Sequence, residues 1–466
     1  MEETKSNIDL YGFRRSDFGA GFRWGVASAA YQIEGAWDAD GKGPSIWDTF
    51  SHRRRWPVPT VRAGENGDVA CDFYHRYAED VHLAAGLGFD VKRFSVSWPR
   101  VLPAGTGAVN AKGLDFYSRV VDACLENGLE PWVTLYHWDL PQALQDRGGW
   151  ANRDVLGWFG EYVGVIASHL GDRVKRWMVF NEPLSFCAGG YLIGIGAPGI
   201  VSRRRFLASV HHVNLCQAVG ASVLRDRVAG AVVGTTHVTL PILATGTSPR
   251  HLRAQRTLDA ALNRVYVEPN LGLGYPVADC SFLRPVERFF RAGDEAAVRV
   301  DFDFVGAQYY TRVWAPPLPV PWLGTLPYPG RNHRRYEINA LGQTMQPDGL
   351  HESLVRLHAY GRFPSIVVTE NGTAVPDTLE GERVYDLRRI GYFRRHLAEV
   401  LRARRDGVPV DGYFVWSLLD NFEWAEGYAA RFGIVYTDYP TQRRIVKDSG
   451  LWFRGLLADG AARAPS

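Results

Sequence analysis

Residues 367–372 read VVTENG, an apolar run that ends on the carboxylate of Glu370 and is followed at once by a turn signal. Residues 179–183 have the same form: they read VFNEP, and Glu182 precedes a proline. A carboxylate is costly to bury unless it is paired or hydrogen-bonded. The two stretches therefore predict two buried strands of a parallel sheet, each bringing an acid to the same rim.

Short apolar runs recur along the chain, and a helical pattern follows most of them. The predicted strands are 22–27, 91–96, 132–136, 177–180, 231–235, 304–309, 366–369 and 412–416. The predicted helices are 72–87, 111–127, 153–170, 204–227, 283–299, 349–360, 382–405 and 441–457. Eight strand–helix units predict an α/β fold, a single (β/α)8 TIM barrel over residues 1–466 with loops inserted at its C-terminal face.

Composition excludes several classes of function. The 53 basic and 50 acidic residues give a net charge of +3, so no strong field favours nucleic acid or a membrane as partner. No strand is followed by a GxGxxG or P-loop pattern, which weighs against a nucleotide site. The five cysteines are scattered without metal-ligand spacing. With no signal peptide or apolar span in the sequence, we expect a cytoplasmic protein without metal or cofactor.

Polar and aromatic residues stand at the carboxyl ends of the predicted strands, which meet at one mouth of a barrel. They are Gln32, Arg93, His137, Trp138, Asn181, Glu182, Gln308, Tyr309, Glu370, Trp416, Glu423 and Trp424. Aromatic faces suit the apolar C–H face of a sugar, and carboxylates and amides suit its hydroxyls. A pair of carboxylates across a small gap is typical of glycoside hydrolysis.

Ordered motifs carry a resemblance to a known family. They are FRWGVASAAYQIEG at 22–35, RFSVSWPR at 93–100, YHWDLP at 136–141, NEP at 181–183, TENG at 369–372 and WSLLDNFEW at 416–424. Together they resemble glycoside hydrolase family 1, the retaining β-glucosidase and β-galactosidase group, over about residues 18–457. Any one tripeptide would be weak, whereas all of them in order are specific.

The resemblance implies a role for each residue at the predicted mouth. Glu370 is implied as the nucleophile, with Arg93 and Tyr309 in contact with it, and Glu182 as the general acid/base. Substrate-binding residues are implied at Gln32, His137, Trp138, Asn181, Gln308, Trp416, Glu423, Trp424 and Phe432. Retention requires the two carboxyl groups to lie roughly 5 Å apart.

Four positions depart from the family pattern: Gln308, Leu184, Val179 and Glu426. Gln308 stands where an asparagine is usual, so hydrogen bonding around the acid/base is expected to shift. Leu184 stands where a tryptophan is common, which predicts an altered aglycone wall. Trp322, in the Pro-rich loop at about residues 316–322, is expected to share in that wall. A packing role for Leu184, with Trp322 supplying the stacking surface, is the alternative.

The predicted function is a retaining β-glucosidase acting on a β-glycoside or short β-oligosaccharide, with β-galactosides and β-fucosides left open. One alternative, a 6-phospho-β-glycosidase, is disfavoured by Glu423, since a 6-phosphate beside that carboxylate would be repelled. A transglycosidase would use the same residues, and a non-catalytic sugar-binding barrel would need a hidden defect. The oligomeric state is left open.

Overall fold

The computed structural model describes residues 14–53, 60–321, 323–328 and 336–458. The barrel strands are β1 Arg23–Ala27, β2 Val91–Ser95, β3 Glu130–Tyr136, β4 Arg176–Asn181, β5 Val232–Val238, β6 Phe304–Gln308, β7 Ile366–Asn371 and β8 Val410–Val415. The longer helices are α1 Phe73–Gly86, α2 Ala111–Glu126, α3 Val155–Leu170, α4 Arg203–Arg227, α5 Pro249–Leu262, α6 Asp348–His358, α7 Leu387–Arg405 and α8 Asp448–Ala458.

The eight strands form one closed parallel barrel. Each strand pairs with the next along the chain, and β1 closes the ring by pairing with β8. The register sets Gln308 of β6 beside Glu370 of β7, and Asn181 of β4 beside Thr236 of β5. The TIM barrel predicted from the sequence is confirmed.

Shorter elements decorate this barrel. Short helices are Ala30–Ile33, Ile46–His52, Trp98–Val101, Gln142–Asp146, Pro183–Cys187 and Asp294–Ala297. Two-stranded sheets outside the barrel are Ile242–Ala244 with Val313–Ala315, Leu379–Glu380 with Arg383–Val384, and Val435–Asp438 with Arg443–Val446. The Pro-rich loop begins at the end of the strand Val313–Ala315, which places its start outside the barrel wall.

The helix predicted at 283–299 is wrong. That segment holds only a 3-10 turn, Arg284–Phe289, and the four-residue helix Asp294–Ala297. Gly293 separates the two with φ +90°, a left-handed conformation that ends a helical path. The helix before β6 is instead α5, which the sequence analysis missed because its arginine-rich residues obscure the apolar stripe.

Two other helix starts were predicted too early. Residues 382–384 belong to a short hairpin and residues 385–386 are irregular, so α7 begins at Leu387. Residues 443–446 form a strand, so α8 begins at Asp448. Both segments contain apolar residues whose spacing is compatible with a helix or with a strand. Short apolar runs often have this ambiguity.

The barrel interior is a packed core. Trp132 lies with its ring centroid 5.2 Å from that of Phe304 and 5.0 Å from that of Phe414, and all three are buried. A Cβ at Gly25 would lie 2.5 Å from the Phe414 ring, so the glycine makes room for this aromatic. Because side chains fill the interior, an open site is expected only at the mouth where the strands end.

Candidate active site

Two buried carboxylates lie where the barrel strands end. Glu370 belongs to β7 and is 3% exposed, and Glu182 directly follows β4 and is 7% exposed. The Glu182 backbone is left-handed, with φ 46°, and its N–H donates to Thr236 O at the end of β5. A non-glycine residue in this region is strained, which is common where a side chain must be aimed at a ligand.

Glu370 is held by two donors. Arg93 Nη1 lies 2.5 Å from Glu370 Oε1, and the Tyr310 hydroxyl lies 2.7 Å from Oε2. Burial raises the pKa of Glu370 above its ordinary value, and both donors oppose that rise by stabilising the ionised carboxylate. Burial also raises the pKa of Tyr310 well above its ordinary value, so this phenol stays a donor.

Tyr309 contacts Glu370 only through the backbone, where its N–H donates to Glu370 O at 3.4 Å, and a contact of its side chain with the carboxylate is wrong. Its hydroxyl donates to Gln346 O at 2.5 Å, and its ring packs 5.9 Å from that of His396 in the surrounding layer. Successive residues of extended chain point to opposite faces. Tyr309 therefore faces outward, and Tyr310, one residue further, reaches the carboxylate.

The tyrosine pair offers a matched test. We expect Tyr310→Phe to lower kcat/KM on an aryl β-glucoside by ~10- to 1000-fold and to move the acid limb of its pH profile upward, because Glu370 loses a donor. Tyr309→Phe should cost ~1 kcal/mol of unfolding free energy with activity within about threefold of wild type. Equal activity losses in the two variants would contradict the assignment.

Glu182 has a different environment from Glu370. Burial, and next the negative charge of Glu370, raise the pKa of Glu182 to about 8. The opposing contributions are a hydrogen bond from Ser185, whose Oγ lies 2.6 Å from Glu182 Oε2, and the more weakly acting charge of Arg93. Near neutral pH Glu182 therefore keeps its proton, whereas Arg93 and Tyr310 stabilise the ionised form of Glu370.

Arg93 also fixes the orientation of a second side chain. Its guanidinium has only donors, so the atom 2.5 Å from Nη2 is Asn181 Oδ1. Gln308 Nε2 donates to the same oxygen at 2.7 Å. The Asn181 amide nitrogen then faces His137 Nε2 at 3.0 Å, and this ring nitrogen must accept. Gln308 thus acts on Asn181 and not directly on the acid/base.

The tautomer of His137 follows from that chain of donors. Burial, with a smaller effect from Arg93, holds the pKa of His137 well below its ordinary value, so the ring is neutral. Since Nε2 accepts, the proton lies on Nδ1, a buried atom with no partner in the described ranges. An unpaired buried donor is costly, and a hydroxyl of a bound ligand would satisfy it.

Gln32 links the ends of β1 and β8. Its Nε2 donates to Phe422 O at 2.9 Å and to Glu423 Oε2 at 3.4 Å, while its Oε1 is buried without a partner in the part of the chain described. Burial, followed by the charges of Glu370 and Glu182, raises the pKa of Glu423 to about 8. An amide oxygen and a carboxyl group are thus left to receive hydroxyls.

Aromatic rings wall the mouth. His137 stacks between Trp416 and Trp424, with ring centroids 6.0 and 5.9 Å away, and Trp424 packs 4.5 Å from Trp138. Trp138 and Trp424 both have positive φ, 81° and 50°, so their backbones are strained like that of Glu182. Flat apolar faces beside carboxyl groups suit a sugar ring.

Three further residues were predicted to contact the substrate, and the structure describes two of them. Phe432 is buried and packs edge-on against Tyr310, with ring centroids 6.0 Å apart, so it supports the tyrosine. Leu184 lies in the helix Pro183–Cys187, packs in the main core and is 9% exposed, so the packing role fits it. Trp322 lies outside the described residues.

Sequence analysis missed three residues of the site. Tyr310 could have been found from strand alternation beyond β6. Ser185 could have been found from its position three residues after Glu182, because side chains three residues apart on a helix are neighbours. Trp47 packs 4.6 Å from Trp424, and no local signal joins residues so far apart in the chain.

Two other classes of site are not found among the described residues. No group of three or more His, Cys, Asp or Glu side chains there is arranged to hold a metal ion. None of the helices described is long and apolar enough to cross a membrane.

The barrel is parallel and eight-stranded, and two buried carboxyl groups lie at its mouth, one held by Arg93 and Tyr310 and the other with a raised pKa. This arrangement defines a glycoside hydrolase type of site. The sequence profile of Glycosyl hydrolase family 1 matches residues 14–460. The chain belongs to this family.

The sequences of related proteins align with this chain over nearly their whole length. Beta-glucosidase A of Thermotoga maritima is 42% identical over 94% of this chain and 97% of its own. A bifunctional beta-D-glucosidase/beta-D-fucosidase of Bifidobacterium breve is 40% identical over 96% and 99%. The structure of the beta-glucosidase from Thermotoga maritima in complex with glucoimidazole superposes with a TM-score of 0.89 at 41% identity, over 94% and 98% of the two chains.

Proposed function

We propose that this protein is a retaining β-glucosidase that removes a terminal non-reducing β-D-glucosyl residue, with Glu370 as nucleophile and Glu182 as acid/base. The proposal rests on one observation: the two buried carboxyl groups have different hydrogen-bond partners and different electrostatic environments. Arg93 and Tyr310 stabilise the ionised form of Glu370, whereas burial and the charge of Glu370 keep the proton on Glu182.

In the first step, Glu370 attacks the anomeric carbon and forms a glycosyl ester. The bond to the leaving oxygen breaks, and its electron pair takes the proton of Glu182. In the second step, water gives a proton to Glu182 and attacks the same carbon. The ester breaks and Glu370 recovers its electron pair, so the configuration at the anomeric carbon is kept after two inversions.

The glycone contacts follow from unpaired groups at the mouth. We assign His137 Nδ1–H, Gln32 Oε1 and Glu423 as hydrogen-bond partners of sugar hydroxyls. The second hydrogen of the Asn181 amide is assigned to the 2-hydroxyl. Trp416 offers a platform for the ring, and Trp424 and Trp138 close the wall beside it. Aglycone roles for Leu184 and Trp322 stay predictions, as do cytoplasmic location and the absence of a nucleic-acid partner.

The proposal is tested by following product stereochemistry. Proton NMR of the reaction with nitrophenyl β-glucoside should record β-glucose before mutarotation, and a panel of aryl β-glycosides should place the glucoside among the best substrates. Because the Bifidobacterium breve relative is a bifunctional beta-D-glucosidase/beta-D-fucosidase, the β-fucoside is the first alternative substrate to assay. Initial release of α-glucose, or no turnover of any aryl β-glycoside, would contradict it.

Charge near Glu423 predicts selection against phosphorylated sugars. Burial and the neighbouring acids Glu370, Glu182 and Glu426 all raise the pKa of Glu423. Its surroundings therefore disfavour added negative charge, and a phosphate dianion would be repelled. We expect kcat/KM for nitrophenyl β-glucoside to exceed that for its 6-phosphate at least ~100-fold, about 2.7 kcal/mol. Glu423→Gln should narrow the ratio, and comparable wild-type rates on the two substrates would favour the 6-phospho-β-glycosidase alternative.

A further inference from the structure

Ser185 lies one helical turn beyond the proposed acid/base. Its backbone N–H donates to Glu182 O at 3.0 Å, and its hydroxyl lies 2.6 Å from Glu182 Oε2. In the part of the chain described, this hydroxyl is the one hydrogen-bond partner of the Glu182 carboxyl. Glu370, in contrast, has both Arg93 and Tyr310.

The direction of the hydrogen bond between the Ser185 hydroxyl and Glu182 follows from the available acceptors. No other acceptor for this hydroxyl is found among the described residues, so its O–H donates to Glu182 Oε2. An oxygen that accepts this bond is a poor place for the carboxyl proton, which is then held on Oε1. The donated bond is also stronger to a carboxylate than to a neutral carboxyl group.

We propose that Ser185 is a positioning residue that acts through Glu182: it holds Oε2, directs the transferable proton to Oε1, and steadies the carboxylate after the proton has left. The inference rests on the proposed function. In the first step Ser185 would keep the proton on the oxygen that gives it to the leaving group. In the second step its hydroxyl would keep the same oxygen turned toward the attacking water.

The test compares Ser185→Ala with Ser185→Thr, which keeps the hydroxyl. Loss of a donor to the ionised form raises the pKa of Glu182, so in Ser185→Ala the alkaline limb of the kcat/KM profile should move up by about 0.5 to 1 pH unit. At neutral pH, kcat/KM on phenyl β-glucoside should fall ~10-fold, whereas dinitrophenyl β-glucoside, whose leaving group needs little protonation, should lose under about threefold. Ser185→Thr should recover both values to within about twofold of wild type.

Ser209→Ala is the matched control. Ser209 is a fully buried helical serine whose hydroxyl donates to Phe206 O at 2.7 Å, so the variant removes a buried hydroxyl without touching Glu182. Its pH profile should match that of wild type. An unmoved alkaline limb in Ser185→Ala, an equal loss on both substrates, or no recovery in Ser185→Thr would overturn the inference. Wild-type protein that hydrolyses neither glucoside would overturn the proposed function and this inference together.

Discussion

Glu370→Ala is expected to lose at least ~10⁴-fold in kcat/KM on nitrophenyl β-glucoside, because no group remains to form the glycosyl ester. The alanine leaves space on the face where the carboxylate stood. Azide should enter that space, attack the anomeric carbon once, and restore turnover of an activated substrate. A single displacement inverts, so the product should be the α-glucosyl azide, identified by its anomeric coupling in proton NMR.

Glu370→Gln provides a control that fills the same space. It should be equally inactive, and azide should restore it much less, because the amide blocks the approach. If Glu370→Ala retained a tenth of wild-type activity, or gave the β-glucosyl azide, Glu370 would not be the nucleophile.

Glu182→Ala is expected to have the second largest effect, and its size should depend on the leaving group. Phenyl β-glucoside, which needs a proton, should lose ~10²- to 10⁴-fold in kcat/KM, and dinitrophenyl β-glucoside less than about tenfold. The glycosyl ester still forms, so azide should attack it from the other face and give the β-glucosyl azide.

The pH profile gives an independent check of Glu182. A pKa raised to about 8 means that the proton required for catalysis is lost as the pH rises through that value, so the wild-type kcat/KM profile should fall on its alkaline side there. The kcat/KM profile of Glu182→Ala, measured with dinitrophenyl β-glucoside, should lack this alkaline limb. Equal losses on both leaving groups, or a limb that persists, would contradict the assignment.

The barrel could be predicted because its strands carry strong local signals. Buried parallel strands are continuous apolar runs, and several were ended or followed at once by a polar residue that could be read in the sequence, as at Glu182 and Glu370. The segment between β5 and β6 gave no such signal. Its real helix, α5, is rich in arginine, and the apolar pattern at 283–299 is broken by Gly293.

The site could be predicted as a set of residues but not as a set of contacts. Strand alternation predicts that Tyr310 shares a face with Gln308, but which hydroxyl reaches Glu370 depends on the backbone path beyond the end of β6, and the fold sets that path. The bond from Gln308 to Asn181 and the unpaired Nδ1 of His137 depend on residues more than 40 positions apart. Such pairs become neighbours only when the barrel closes.

The central claim is that the sugar becomes bonded to Glu370. The most direct measurement is to incubate the wild-type protein with dinitrophenyl 2-deoxy-2-fluoro-β-glucoside, digest it, and locate the added sugar by mass spectrometry. Fluorine at C2 slows both steps, and the good leaving group keeps the first faster than the second, so the ester accumulates. The account predicts one fluorodeoxyglucosyl group per chain, attached to Glu370. A label on Glu182 or another residue, or dinitrophenolate release without any covalent label, would contradict it.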